Sequence, residues 1–413
     1  MTVRRDVGLD LPSLLARVEA APPVAAADVV AAALQEMLGA REVSFLIADF
    51  SGLSMIRLGH VEASGPAPAR GQETAERVLL ADTPHGRALA SQRIEVVSED
   101  GGARLLAPVT SRGEAVGLLE LVLADRPDEQ ALADVALAAH ALAYVVIANR
   151  RYTDLFEWGQ RTVPLSLPAE IQHRLLPGSY TCEAGQFTLA GWLEPAGQVG
   201  GDTFDFALER DTLHLSITDS MGHTVPASLL ATLLVGSLRN ARRRGVELVE
   251  QARLADEALA EHAAVDQFVT GQVVRVDLAS ETALVVNAGH PPPLRLRSGR
   301  VEQIALPPDL PFGTRAASGG YRAQRLPLAA GDRIMFLTDG VLERSAADLD
   351  VASVLADGSD LHAREAVQQL VHAVLRVAGG ELRDDATVLC LDWHGGPPRD
   401  RDAHWGADHR RPS

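Results

Sequence analysis

The apolar pattern along the chain changes period twice. Ala26 to about Leu38 is an alanine-rich run that predicts a helix. Val43-Ser44-Phe45-Leu46-Ile47 predicts a strand, ended by the turn residues Asp49 to Gly52. Thr83 to Gln92 reads as a second helix, and Leu105–Val109 and Ala115–Val122 as strands on either side of the turn Ser111-Arg112-Gly113. After Pro127 a long apolar run predicts a helix reaching about Phe156. Its stripe of Leu132, Val135, Ala139, Leu142 and Val146 can pack on its own domain or form a parallel dimer seam, and a homodimer is the expectation. Helices alternating with strands predict an α/β domain over 26–150, behind a leader at 1–25 that carries a short helix and the break Pro22-Pro23.

A helical linker is expected over 151–185. Leu167, Ile171 and Leu175 recur every four residues, one face of a short amphipathic helix that Pro177-Gly178 stops. From 186 to 394 period-two runs dominate. Strands are predicted at Thr188–Leu193, Thr203–Ala207, Leu213–Thr218, Gln267–Val276, Thr282–Asn287, Leu294–Leu296, Tyr321–Leu326, Arg333–Thr338 and Ala386–Asp392. Helices are predicted at Pro226–Arg243, Leu248–His262 and Arg364–Val377. Many strands with a few clustered helices predict an α+β sandwich. The tail, 395–413, is rich in Pro, Arg, Asp and Gly and is expected to be disordered.

Composition narrows the chemistry. A chain of 413 residues suits two or three domains. It has no lysine, so all 38 basic residues are arginine. Schiff-base catalysis, Walker-type nucleotide hydrolysis and protein kinase chemistry are thereby excluded. A net charge of −17 opposes general nucleic-acid binding. Cys182 and Cys390 form no metal spacing, and Thr188 and Gly396 stand where a cysteine phosphatase would need arginine. GxSxG and HExxH are absent. No apolar signal core follows Met1 to Asp10, and the run Ala131–Ala148 contains Asp134 and His140 and reads as a packed helix, not a membrane span. A cytoplasmic protein with no membrane partner is expected.

What remains is a pattern of aspartates. Asp202 follows Gly200-Gly201, Asp219 ends one apolar strand, Asp339 ends another and precedes Gly340, and Asp384-Asp385 opens a third. Aspartate at a strand–turn junction is common as a turn cap. Four such places in one domain can instead converge on one rim, since antiparallel strand ends neighbour strand starts. Converging carboxylates suit hard divalent cations, and a pair of such ions can activate water against a phosphoryl group.

The segments VGGDTFDF (199–206), ITDSMGHTVPASLLATLL (217–234), VNAGHPPPLRLR (286–297), PFG (311–313), FLTDGVLE (336–343) and DDATVLCL (384–391), with AEIQHRLLP (169–177), resemble the metal-dependent protein phosphatases. The likeness is to the protein phosphatase 2C-like group, in its bacterial stage-II-sporulation-E-type branch. The resemblance implies an α-β-β-α sandwich and two Mn or Mg ions. It implies that Asp219 bridges the ions and the Ser220 carbonyl binds one, while Asp339 and Asp384 hold the other. Asp202 would act directly or through water, and Asp385 is the alternative to Asp384. The implied reaction is hydrolysis of phosphoserine or phosphothreonine on a protein, such as an anti-sigma-factor antagonist. Thr203 and Thr224 depart from the family wording without removing a carboxylate. Asn287 and His290 read as loop-shaping, and Arg344 as a solvated surface residue.

TPHGRALASQRIEVV (83–97) and LLAPVTSRGEAVGLLELVL (105–123) resemble a GAF sensor domain. Its ligand is not legible: no cysteine offers bilin attachment, and His60 and His85 read as surface residues before haem ligands. The combined expectation is a phosphatase whose sensor acts through the long helix and the 165–177 linker. A catalytically silent binding module of a sigma-factor pathway and a small-molecule phosphatase on the same fold are the alternatives.

Overall fold

The computed structural model describes residues 8–49, 52–62, 76–99, 101–161, 165–194, 200–222, 225–264, 267–314, 320–342, 349–379, 382, 384–397, 399–401, 403–404 and 406–408. The chain divides into two compact units, Met1–Pro164 with Asp402–Arg410, and Leu165–Arg401 with Arg411–Ser413.

The first unit runs α1 (Leu11–Ala20), α2 (Ala26–Leu38), β1 (Glu42–Ala48), β2 (Ser54–Glu62), β3 (Arg77–Leu79), α3 (Pro84–Ser91), β4 (Glu95–Glu99), β5 (Gly102–Ser111), β6 (Glu114–Leu123), α4 (Glu129–Asn149) and α5 (Leu155–Gly159). The strands form one sheet in the order β3-β2-β1-β6-β5-β4, every pair antiparallel. Alternation sorts side chains to its two faces. Phe45, Leu105 and Leu119 pack under Val30 and Leu34 of α2 and Leu142 of α4, whereas Leu46, Leu106 and Leu118 meet Leu89 of α3.

The long helix stops at Asn149, short of the predicted Phe156, and α5 is a separate turn. Val135, Ala139, Leu142 and Val146 are buried in the unit's own core. The proposed dimer seam is therefore corrected: the sheet already covers that stripe, and a homodimer would have to form through other residues. Among the described residues α4 is the one helix long and apolar enough to cross a membrane, and 56% of that stretch is buried inside the protein.

Glu120 interrupts the apolar run of β6 and is buried. It accepts from Arg57 Nη2 and lies against His85 Nε2, each at 3.2 Å, and also pairs with Arg104. His85 is thus part of a half-buried charge cluster, not of the surface. Burial alone would push the Glu120 carboxyl up, but the His85 hydrogen bond and the Arg57 and Arg104 charges overcome it and leave it at about 2. A depressed carboxyl stabilises the fold above its ordinary value of 4.5 and loses that contribution as pH falls toward 2. Glu120→Gln is expected to destabilise this unit by about 3 kcal/mol at pH 7. The check is urea unfolding of both proteins, in which the gap should narrow as pH falls below 4.5.

The second unit contains α6 (Leu167–Leu175), β7 (Thr181–Ala184), β8 (Phe187–Glu194), β9 (Asp202–Leu208), β10 (Thr212–Ser220), α7 (Val225–Arg243), α8 (Leu248–His262), β11 (Val269–Asp277), β12 (Thr282–Ala288), β13 (Leu294–Arg297), β14 (Arg300–Gln303), β15 (Gln324–Leu326), β16 (Asp332–Leu337), α9 (Val351–Asp357), α10 (Ala363–Val377) and β17 (Ala386–Trp393). One sheet has the order β15-β12-β11-β10-β9, the other β14-β13-β16-β17-β8-β7. Phe204, Leu215, Ile217 and Val274 of the first meet Phe187, Phe336, Leu389 and Leu391 of the second in a shared core. Leu230, Leu234 and Leu259 of α7 and α8 cover the first sheet's outer face at Val273 and Val286. Val367, Leu370 and Val374 of α10 cover the second at Met335, Val388 and Cys390. These layers are the expected α-β-β-α sandwich.

Part of the tail is ordered, which corrects the expectation of disorder over 395–413. Ala403–His404 pairs with Ala407–Asp408, and the Gly113 N–H donates to the Gly406 carbonyl at 2.9 Å. Gly406 has φ +99°, and a Cβ there would stand 2.1 Å from the Thr110 carbonyl oxygen, so only glycine fits.

Candidate functional site

Two strand ends from each sheet meet at one edge of the sandwich. In β9 and β10 the antiparallel register sets Asp202 opposite Asp219. In the other sheet β16 ends where β17 begins, and the Thr338 N–H donates to the Thr387 carbonyl at 3.2 Å. Asp202 joins the sheets: its Oδ2 accepts from Thr338 Oγ1 and from Thr387 Oγ1, each at 2.7 Å. Asp385 joins them a second time, its Oδ2 accepting from the Gly201 N–H at 3.0 Å. The same oxygen takes a bond from Gln172 Nε2 of α6 at 2.5 Å, and that amide also donates to the Asp202 carbonyl at 2.8 Å.

The turns need their glycines. A Cβ on Gly201 would stand 2.8 Å from the Ser220 carbonyl oxygen, and one on Gly340 only 1.9 Å from that of Asp385. Backbone can therefore crowd around the acidic side chains here, which an alanine would prevent.

Electrostatics show which carboxylates share the rim. Burial raises the Asp202 carboxyl well above the ordinary range, and the Asp219 and Asp385 charges raise it further. Asp219 is pushed up to about 7, first by burial and then by the charges of Asp339 and Asp384. All five aspartates singled out in the sequence are thus brought together. Asp202 and Asp385 are buried, Asp219 and Asp339 half-buried, and Asp384 exposed. Among the described residues no three His, Cys, Asp or Glu side chains are grouped closely enough to hold an ion as they stand. The rim is gathered without being a closed cage.

The donor set suits a hard divalent cation: oxygen donors alone, with mutual repulsion that a cation would relieve. Ser220 is buried beside Asp219, and its hydroxyl has no hydrogen-bond partner among the described residues. Asp385 braces the Gly201 backbone, whereas Asp384 stands at the surface and adds its charge to Asp219.

Asn287 and His290 shape a neighbouring loop. Asn287 accepts from the His290 N–H at 2.9 Å and donates to the Leu306 carbonyl at 2.9 Å. His290 Nδ1 lies 3.0 Å from Thr270 Oγ1, and burial lowers its imidazole to about 3, so it is neutral. Thr224, Arg344 and the His60 side chain lie outside the described residues.

Three participants escaped the sequence reading: Gln172, Thr338 and Thr387. The threonines carried a signal, as polar residues directly flanking the Asp339 and Asp385 turns in apolar strands. Gln172 carried none, because a glutamine on an amphipathic helix ordinarily faces water.

Residues 209–394 match the family model of stage II sporulation protein E, and residues 22–146 that of the GAF domain. The phosphoserine phosphatase RsbU of Bacillus subtilis is 20% identical over 241 residues, 55% of this chain and 69% of that one. A structure of the RsbU and RsbW domains of a Mycobacterium tuberculosis protein shares 26% identity, with a TM-score of 0.47 over 52% of this chain and 62% of that chain. A structure of RsbX in complex with magnesium shares 13% identity, with a TM-score of 0.42 over 52% of this chain and 98% of that one.

Proposed function

From a chain that joins a GAF domain to a SpoIIE-type phosphatase domain, we propose a sensor-regulated phosphatase that removes phosphate from serine or threonine of a regulatory protein. An anti-sigma-factor antagonist is the proposed substrate. The observation that carries this reading is the gathering of five aspartates from two sheets on one rim, with Asp219 raised to about 7 by burial and by the charges of Asp339 and Asp384.

The all-oxygen donor chemistry of these residues suits Mg or Mn, and two such ions, drawing the acids closer than they stand, are the proposed occupants. Asp219 and the Ser220 carbonyl would hold one, Asp219, Asp339 and Asp384 the other, with Asp202 behind them. Bound there, such ions lower the pKa of a shared water and neutralise charge on the phosphoryl oxygens. Asp202 is locked by two threonine hydroxyls, so it can orient the rim without swinging away. Asp385 and Gln172 fix the Gly201–Asp202 backbone from the other side. In the chain, α6 is the first element after the sensor unit, and it reaches the rim through Gln172. A signal that shifts α6 would therefore loosen or set the carboxylates. Cys182 and Cys390 form no disulfide, which supports a cytoplasmic setting.

The test is release of phosphate from a phosphoserine peptide by the full chain, with and without Mn²⁺ or Mg²⁺, against sugar and nucleotide phosphates. Metal-dependent turnover with preference for the peptide is expected. Preference for the small phosphates would make it a small-molecule phosphatase. The unclosed cage favours one further reading, a silent binding module, which binding of the phosphopeptide without turnover would establish.

A further inference from the structure

Arg239, near the end of α7, reaches beyond its own helix. Arg239 Nη2 donates to the Leu175 carbonyl, at the end of α6, at 2.6 Å. The same guanidinium grips Asp205 of β9 with two bonds, Nη2 to Oδ1 at 2.8 Å and Nε to Oδ2 at 3.1 Å. Arg242 Nη1 adds a bond to Asp205 Oδ2 at 3.2 Å. Asp205 lies three residues beyond Asp202 on the same strand, with its side chain only 6% exposed.

The other end of α6 is held as well. Ser228 Oγ of α7 reaches the Gly200 carbonyl at 2.6 Å and the Pro168 carbonyl at 3.2 Å. A Cβ on Gly200 would stand 2.7 Å from the Pro168 carbonyl carbon, so α6 sits directly on the loop before Asp202. Between these two holds lies Gln172, whose single amide nitrogen must satisfy Asp385 and the Asp202 carbonyl together. Hydrogen bonds weaken steeply beyond about 3.2 Å, so sub-ångström drift of α6 would break one of them.

We propose that Arg239 is a positioning residue for the acidic rim: it ties the end of α6 to β9 and so keeps Gln172 aimed at Asp385. Three acceptor atoms in two directions need a planar fork, which lysine lacks. Leu175 supplies one of the four carbonyls that a helix end leaves unpaired, so the bond is made without disturbing α6 itself. The idea rests on the phosphatase reading for its activity readout, but not for its metal-binding readout.

The experiment is a double-mutant cycle in the full chain with Arg239→Lys and Gln172→Ala. Two quantities are read: Mn²⁺ affinity by isothermal titration, and kcat and KM on a phosphoserine peptide at saturating Mn²⁺. Each single variant is expected to weaken Mn²⁺ binding and to lower kcat about tenfold, with KM within twofold. Because both act through one contact, the double variant should be no worse than the poorer single one. Multiplying losses, or an Arg239→Lys protein with unchanged Mn²⁺ affinity, would overturn the proposal. If Arg239→Lys does not fold, Asp205→Asn, which keeps shape and removes the charged acceptor, takes its place with the same criteria. A wild-type chain inert toward the peptide would refute the phosphatase reading, while the Mn²⁺ cycle would still decide on Arg239.

Discussion

Asp219→Asn is expected to abolish phosphopeptide hydrolysis and, at pH 7, to make the metal-free protein more stable than the wild type. Both effects have one source. Burial of Asp219 and the charges of Asp339 and Asp384 outweigh its hydrogen bond with Asp202 across β9 and β10, so its carboxyl is raised from 3.8 to about 7. The folded chain then binds a proton more tightly there than the unfolded chain does. The destabilisation is absent below pH 3.8 and grows as pH rises through 7, where the charged form predominates. Each pH unit of that window is worth about 1.4 kcal/mol, so the neutral asparagine should add roughly 2–4 kcal/mol by pH 8 and almost nothing at pH 4. Thermal unfolding of both proteins in a chelator, at pH 5 and pH 8, measures the difference. Mn²⁺ should then raise the melting temperature of the wild type and leave Asp219→Asn nearly unchanged. If the variant is the less stable protein at pH 8, the carboxylates do not crowd one another and the rim is not a cation site.

Much of this rim was legible because it was built from local signals. The β10 run Leu213, Leu215, Ile217 alternates cleanly and ends at Asp219, and the β17 run starts directly after Asp384-Asp385. Antiparallel pairing then leaves few places for those acids to go. Helix α8 could be bounded at Leu248 and His262 because its apolar period and polar flanks agree. The parts that were missed depend on distant partners. Strand β7 is only four residues long and carries Glu183, whose burial makes sense only beside His362 at 2.9 Å and Arg401. Strand β2 reads as a mixed run, since Arg57 within it is explained by the distant partners Glu76 and Glu120. The α4 stripe showed that an apolar face would be covered but not by what, and the sheet of its own unit proved to be the cover. Gln172 bonded to Asp202 and Asp385, and Arg239 bonded to Leu175 and Asp205, tie α6, β9 and α7 together, and no spacing in the sequence announces it.

Gly340→Ala is expected to lower kcat by a hundredfold or more, although it adds a single methyl group. The Cβ would stand 1.9 Å from the Asp385 carbonyl oxygen, and that oxygen is backbone, which no rotamer change can move. Gly340 directly follows Asp339, and Asp385 directly follows Asp384, so the clash falls between the turns that carry the two acids. Relief requires those turns to separate by about an ångström, a displacement that costs on the order of a hundredfold in a reaction set by geometry. The Thr338 and Thr387 hydroxyls on Asp202 sit on the same two turns, so its hold would loosen as well. Gly236→Ala is the control: that glycine lies in α7 with no atom near its missing Cβ, and alanine there should stabilise the helix by up to about 1 kcal/mol without touching turnover. Steady-state rates on the phosphoserine peptide, with a thermal melt of each variant, separate the two. A Gly340→Ala enzyme within threefold of wild-type turnover would mean that Asp339 and Asp384 need not be held together, and the shared rim would lose its part in the reaction.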